Sequence, residues 1–275
     1  MRVGSSMNPM PHRKPADPPS GSRRTRATPR RSTVDAGEIA NFAAVARAWW
    51  NPDGEFRPLH RLNPVRLTFL RDQLARHFGR DPAATHPFAG LSLLDIGCGG
   101  GIVAEPLTRL GFAVTGIDAD TTAVGIAREH AAQSGLKIDY RQDAAENLAR
   151  RHLRFDAVLA LEVVEHSADP ELFLTTAAAL VKPGGALALS TINRTARSFL
   201  LAIVGAEYLL RWIPRGTHHW SKFLRPSEVA HILWKNRLEI ETVAGLTYVP
   251  GGGGWQLGGR PDVNYLLFAS KPKGK

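Results

Sequence analysis

Leu91-Ser-Leu-Leu-Asp95-Ile-Gly97-Cys98-Gly99-Gly100-Gly101 sets an apolar run, an acid and a glycine loop in a row, and a helical pattern from Ile102 to Leu110 follows. Such an order reads as a buried strand, a turn without side chains and the start of a helix. Glycine adopts positive φ without penalty and lets backbone approach a ligand closely. The helix start adds free N–H donors and a positive dipole end, which suit a carboxylate or phosphate. The spacing separates two nucleotide cofactors. With glycines at 97 and 99, a dinucleotide fingerprint requires a third at 102, and that position is Ile102.

Working outward, strand patterns fall at 91–96, 113–117, 138–141, 155–161 and 186–191, with helix patterns at 102–110, 122–134 and 171–181 between most of them. Alternation of this kind predicts a parallel sheet covered by helices on both faces. Ligands of such sheets bind outside the carboxyl ends of the strands, so the acids there matter most. Asp118 ends the second strand, 21 residues beyond Gly97. Its carboxylate can accept from both hydroxyls of a ribose, or cap the next helix, a task Asp120 can take instead. Asp143, after the third strand, can accept from an adenine amino group or serve as a solvated turn acid. Asp95 through Gly101, D-x-G-x-G-x-G, resembles motif I of class I S-adenosylmethionine (SAM) methyltransferases. Phe155-Asp156-Ala-Val-Leu and Lys182-Pro-Gly-Gly185 resemble the fourth-strand start and fifth-strand entry of that fold. The resemblance implies an α/β, Rossmann-like class I methyltransferase with SAM as cofactor.

A chain of 275 residues, 43% apolar and 22% charged, can bury a sizeable core. Its one cysteine, Cys98, excludes a disulfide framework and a cysteine-based zinc site, and fits a reducing cytoplasm. The net charge of +10 sits unevenly: residues 1–33 hold eight basic side chains against Asp17 alone, leaving +3 for the rest. That leader is rich in Pro, Ser, Thr and Arg without hydrophobic periodicity. It is expected to be a disordered basic tail, an organellar leader or an over-extended start being the alternatives. Residues 34–275 are expected to form the catalytic domain, with no nucleic-acid partner. No run of 18 apolar residues occurs, and none is expected to span a membrane.

Phe42, Val45, Ala46 and Trp49 fall at helical spacing behind Asp35. Trp50-Asn-Pro-Asp-Gly54 then breaks the pattern, and a second helix is expected near Arg66–Phe78. Glu162-Val-Val-Glu165-His166 follows the fourth strand. Two carboxylates and an imidazole there can hold Mg²⁺ or Mn²⁺, supply a general base, or merely hydrogen-bond backbone or substrate. An insertion follows the fifth strand at about 194–225. Its apolar stretch, broken by Glu207 and flanked by arginines, suits a helical lid over the site or an interfacial helix against anionic lipid.

Trp49-Trp50-x(3)-Gly54-Glu-Phe-x-Pro-Leu-His60-x-x-Asn63-Pro64-x-Arg66 resembles the N-terminal signature of the ubiquinone-biosynthesis O-methyltransferases. The glycine loop, Glu162-x-x-Glu165-His166, Val204-Gly-Ala-Glu207-Tyr, Gly216-Thr-His218 and Asp262-Val-Asn-Tyr265 resemble that family too, over about residues 35–270. The resemblance implies methylation of two catechol-type hydroxyls on polyprenylated benzenoids. It places Arg66, Gly97, Asp118 and Leu161 at the cofactor; Gly99 of the same loop and Asp143 after the third strand are cofactor candidates by position. It places Glu162, Glu165 and His166 on a proposed Mg²⁺ site, and the chemistry of these side chains makes His166 and Glu165 the candidate catalytic groups. It also implies an enzyme that is cytoplasmic but peripherally attached to the inner membrane, near other enzymes of the pathway. The arginine tail and Gly251–Gly254 stand outside the family pattern.

Overall fold

The computed structural model describes residues 46–198, 220–249 and 254–274, together with 1, 32–35, 37 and 39. Ser32–Lys275 constitute one compact unit. The arginine-rich leader beyond Met1, Phe42 and Val45 of the first expected helix, and most of the 194–225 insertion lie outside the described residues.

Five strands form the parallel part of the sheet: β1 (Ser92–Ile96), β2 (Ala113–Asp118), β3 (Asp139–Gln142), β4 (Phe155–Leu161) and β5 (Val181–Ile192). Three more, β6 (Glu239–Val249), β7 (Gly254–Leu257) and β8 (Asn264–Ser270), extend it antiparallel, in the order β3-β2-β1-β4-β5-β8-β6-β7. The helices are α1 (Arg57–Phe78), α2 (Ala104–Arg109), α3 (Thr121–Gln133), α4 (Ala145–Arg150), α5 (Pro170–Ala179) and α6 (Pro226–Lys235). The doubly covered α/β sheet expected from the alternation is present.

Its two faces follow from the period-2 direction of strand side chains. Leu93, Ala157 and Leu159 join one core with Leu70, Leu74 and Phe69 of α1, Leu107 of α2 and Val124 of α3. Leu94, Ile96, Val158 and Ala160 join the other with Leu148 of α4, Phe173 and Leu174 of α5, and Val229 and Leu233 of α6. Burial on both faces is why β4 reads as an apolar run from Ala157 to Leu161. Asp156 ties strand entries together: its Oδ2 accepts from Ser92 N–H at 2.8 Å and from Lys182 Nζ at 2.8 Å. Burial pushes this carboxyl up, but bonds from Lys182 and Ser92 outweigh it and hold the group below its usual range.

Two boundaries differ most from the sequence reading. Helix α1 begins nine residues before Arg66 because Pro58 lies in its first turn, where the missing N–H costs nothing, and the helix continues through Pro64. Its buried stripe of Leu62, Arg66, Phe69, Leu70, Gln73 and Leu74 carries it past that proline. Strand β5 starts at Val181 rather than 186, with Lys182–Gly185 inside it and the register shifting between Phe155 and Ala157.

Candidate active site

The chain leaves the sheet on one side of β1 to form β2 and β3, then returns to its other side as β4. Beyond the carboxyl ends of β1 and β4 such a switch opens a crevice. The glycine loop runs along it, with φ of +72° at Gly97, +51° at Gly99 and +90° at Gly101. Only glycine takes these values freely. Side chains also press on the loop: added Cβ atoms would stand 2.6 Å from Val163 at Gly97, 2.4 Å from Trp49 at Gly99, and 2.3 Å from the Tyr140 hydroxyl at Gly101. Helix α2 starts at Ala104, two residues later than expected.

Asp118 reaches back to this loop. Its Oδ2 accepts from Gly99 N–H at 2.9 Å and its Oδ1 from Asp120 N–H at 2.9 Å. Burial raises its pKa, against the pull of those backbone bonds. Asp120 caps α3 by accepting from Thr122 N–H at 2.8 Å, which leaves Asp118 without that duty. Asp143 accepts from Ala144 N–H at 2.9 Å and Asn147 Nδ2 at 2.5 Å, with Arg151 Nη1 at 3.5 Å, so its partners lie in α4 and the residues flanking it.

Arg66 is 2% exposed, donates from Nη2 to Asn63 Oδ1 at 3.2 Å, and has an Nε with no acceptor. Burial lowers its pKa, while Glu162 and Asp95 pull it back up. Asp95 is pushed up to about 7 by burial, drawn down by Arg66 and pushed again by Asp118. The Cys98 thiol is 5% exposed and raised well above its ordinary value by burial, with Asp95 and Asp118 adding to it, so it is a packing group and not a nucleophile.

The three expected metal ligands do not come together. Glu162, at φ +52°, accepts from Ser190 Oγ at 2.5 Å, while the buried Glu165 accepts from Thr191 Oγ1 at 2.8 Å. Ser190 and Thr191 are successive residues of β5, so their side chains leave opposite faces of the sheet, and the carboxylates bonded to them diverge. His166 closes the 3₁₀ turn Val164–His166. Among the described residues no group of three His, Cys, Asp or Glu side chains could hold a metal ion. In this arrangement Glu162, Glu165 and His166 do not form a three-ligand set for Mg²⁺.

Residues without an assigned role in the sequence reading complete the shell. Trp50 donates from Nε1 to the Gly100 carbonyl at 2.9 Å and stacks on His130 at 3.4 Å, and His130 Nδ1 donates to the buried Glu105 at 2.6 Å. Asn63 Nδ2 donates to the Ile102 carbonyl at 2.8 Å, and His60 Nε2 to the Trp49 carbonyl at 2.7 Å. The signal for Trp50, His60 and Asn63 was the dense Trp49–Arg66 block, which now proves to be the strap that fastens α1 to the glycine loop.

The loop, a carboxylate at the end of β2 and a buried unpaired arginine donor suit a cofactor with a ribose and an acidic end, and SAM carries both. The fold and site define a class I methyltransferase, and a family model described as a methyltransferase domain matches residues 62–243. Among solved structures, magnesium protoporphyrin IX methyltransferase from Synechocystis PCC 6803 with bound SAH superposes with a TM-score of 0.61 at 19% identity, covering 85% of this chain and 97% of that one. Closer in sequence are two proteins named ubiquinone biosynthesis O-methyltransferase. That of Chelativorans sp. (strain BNC1) is 51% identical over 88% of this chain and 96% of its own length. That of Brucella anthropi is 51% identical over 88% and 98%. The chain belongs to the family of ubiquinone biosynthesis O-methyltransferases, which are SAM-dependent enzymes.

Proposed function

We propose that this chain methylates catechol-type hydroxyls of polyprenylated benzenoids at both O-methylation steps of ubiquinone synthesis. The observation that carries the reading is the Trp49–Arg66 strap bonded to the cofactor loop at Gly100 and Ile102, since its residues are those of the family signature. When bound, SAM would supply a methyl on its sulfonium sulfur, which an acceptor oxygen attacks in line as the carbon–sulfur bond breaks and S-adenosylhomocysteine leaves. Asp118 holds the ribose hydroxyls, with Gly97 and Gly99 giving the backbone room. Arg66 neutralises the acidic end. Leu161 lines the crevice where β4 ends, and Asp143 stands by the adenine.

A phenol with pKa near ~10 is mostly protonated at neutral pH, so a base is required. His166 is proposed to take that proton, with Glu165 positioning the turn that carries it through Thr191. Holding the two reactants in line supplies most of the remaining acceleration. No helix among the described residues is long and apolar enough to cross a membrane. The 194–225 insertion, mostly outside those residues, is proposed to admit a lipid-like substrate from an anionic membrane surface, which would keep the cytoplasmic enzyme beside its pathway partners.

The direct test is transfer of labelled methyl from SAM to a polyprenyl catechol, with Mg²⁺ and with chelator. Transfer is expected in both arms. No transfer in either would sink the reading, and transfer only with Mg²⁺ would show that Glu162, Glu165 and His166 rearrange around a metal. Asp118→Ala is expected to weaken SAH binding by calorimetry about a hundredfold, as two hydrogen bonds to a charged acceptor are lost. Unchanged affinity would remove Asp118 from the cofactor site.

A further inference from the structure

Trp49 buries its indole against the glycine loop, stacked on Phe56 with ring centroids 3.9 Å apart and planes 12° apart. A Cβ on Gly99 would stand 2.5 Å from its Cη2 and 3.1 Å from its Cε2, the carbon that carries the indole nitrogen. That nitrogen is fully buried and has no hydrogen-bond partner. An orphaned buried donor forfeits the hydrogen bond it would make in water, and buried indole N–H groups ordinarily find an acceptor. Phenylalanine at this position would keep the stacking and avoid the cost. Neighbouring Trp50 does satisfy its own N–H, on the Gly100 carbonyl. The unmet donor therefore points to an acceptor that arrives with a ligand.

A second orphaned donor, Arg66 Nε, lies on the same strap. Asn63, one turn before it on α1, is bonded to the Ile102 carbonyl, so both donors are fastened to chain that grips the loop. Indole and guanidinium groups donate only, and an ionised carboxylate accepts only. Asp118 offers the opposite polarity and suits hydroxyls. We infer that Trp49 Nε1–H is a cofactor-binding group that, with Arg66, holds the carboxylate at the amino-acid end of SAM. This rests on the SAM reading and adds a residue to it. It also explains why Gly99 and Gly100 must both lack side chains on the tryptophan side, where a Cβ on Gly100 would stand 2.6 Å from the indole.

The test compares S-adenosylhomocysteine with 5′-methylthioadenosine, which lacks the carboxylate and ammonium, by calorimetry on the unmodified chain and on Trp49→Phe. The substitution is expected to weaken S-adenosylhomocysteine on the order of tenfold, the value of a bond to a charged group. It should leave 5′-methylthioadenosine unchanged and not lower the melting temperature of the ligand-free protein. Equal loss for both ligands would make the ring a packing group and overturn the proposal, as would no loss for either. If the variant does not fold, the ¹⁵N indole resonance of Trp49 in the unmodified chain decides. A downfield shift with S-adenosylhomocysteine and none with 5′-methylthioadenosine supports the bond, and identical responses overturn it. Failure of the unmodified chain to bind S-adenosylhomocysteine would overturn the cofactor reading itself.

Discussion

Gly101→Ala is expected to abolish measurable S-adenosylhomocysteine binding and to destabilise the fold by about 2–5 kcal/mol, the sum of backbone strain and overpacking. At φ +90° the position lies outside the region alanine tolerates. The new Cβ would also stand 2.3 Å from the Tyr140 hydroxyl and 3.1 Å from Cζ. The ring cannot retreat past β2, because it already lies flush on Gly116, where a Cβ would meet it at 2.6 Å. The loop must move instead, and it carries the Gly99 N–H that orients Asp118. Tyr140→Phe gives an internal control. Its hydroxyl is buried without a partner, so removing it alone should be neutral or slightly stabilising. Combined with Gly101→Ala it should recover about 1 kcal/mol by relieving one overpacked contact, but not the backbone strain. Urea unfolding of the four proteins checks this. A Gly101→Ala protein within about 0.5 kcal/mol of the parent would mean that the loop has slack.

The strand–loop–helix order at Leu91–Gly101 was legible because its signals are local: an apolar run, φ-permissive residues, and a helical period directly after. Asp118 was legible for the same reason, as an acid where a strand pattern stops. The antiparallel edge β6-β7-β8 was not. Tyr265 was quoted only as part of a family block, yet it is fully buried in β8 and donates its hydroxyl to the Leu224 carbonyl at 3.1 Å, a contact 41 residues away. Contacts between Trp49–Trp50 and Gly99–Gly100 span some 50 residues and leave no local trace except the glycines themselves. Glu162-x-x-Glu165-His166 is a different case. Proximity in sequence suggested convergence, but the left-handed residue at Glu162 followed by a 3₁₀ turn sends the carboxylates to successive residues of β5.

Asp95→Asn is expected to remove most of the loss of stability that the unmodified chain suffers as pH rises from 5 to 8. Asp95 is 3% exposed, and burial pushes it up to about 7, against ~3.9 for an unfolded chain. A carboxyl whose folded pKa is raised favours its protonated form in the native state. Its contribution is fully present below pH ~3.9, is lost progressively as pH climbs to about 7, and changes no further above that. The loss over pH 5–8 is about 3 kcal/mol, and asparagine, being neutral throughout, does not incur it. Asp118, also raised, adds a slope of the same sign in both proteins. Asparagine leaves Arg66 with Glu162 alone as its charged neighbour, which offsets part of the gain. A cationic ligand bound beside the loop would draw the acid to its ionised form. SAM binding near pH 6 should therefore release protons from the parent and fewer from Asp95→Asn, which calorimetry in buffers of different ionisation enthalpy reads directly. Equal proton release, or parallel stability–pH curves, would show that Asp95 is ionised throughout and that Arg66 outweighs its burial.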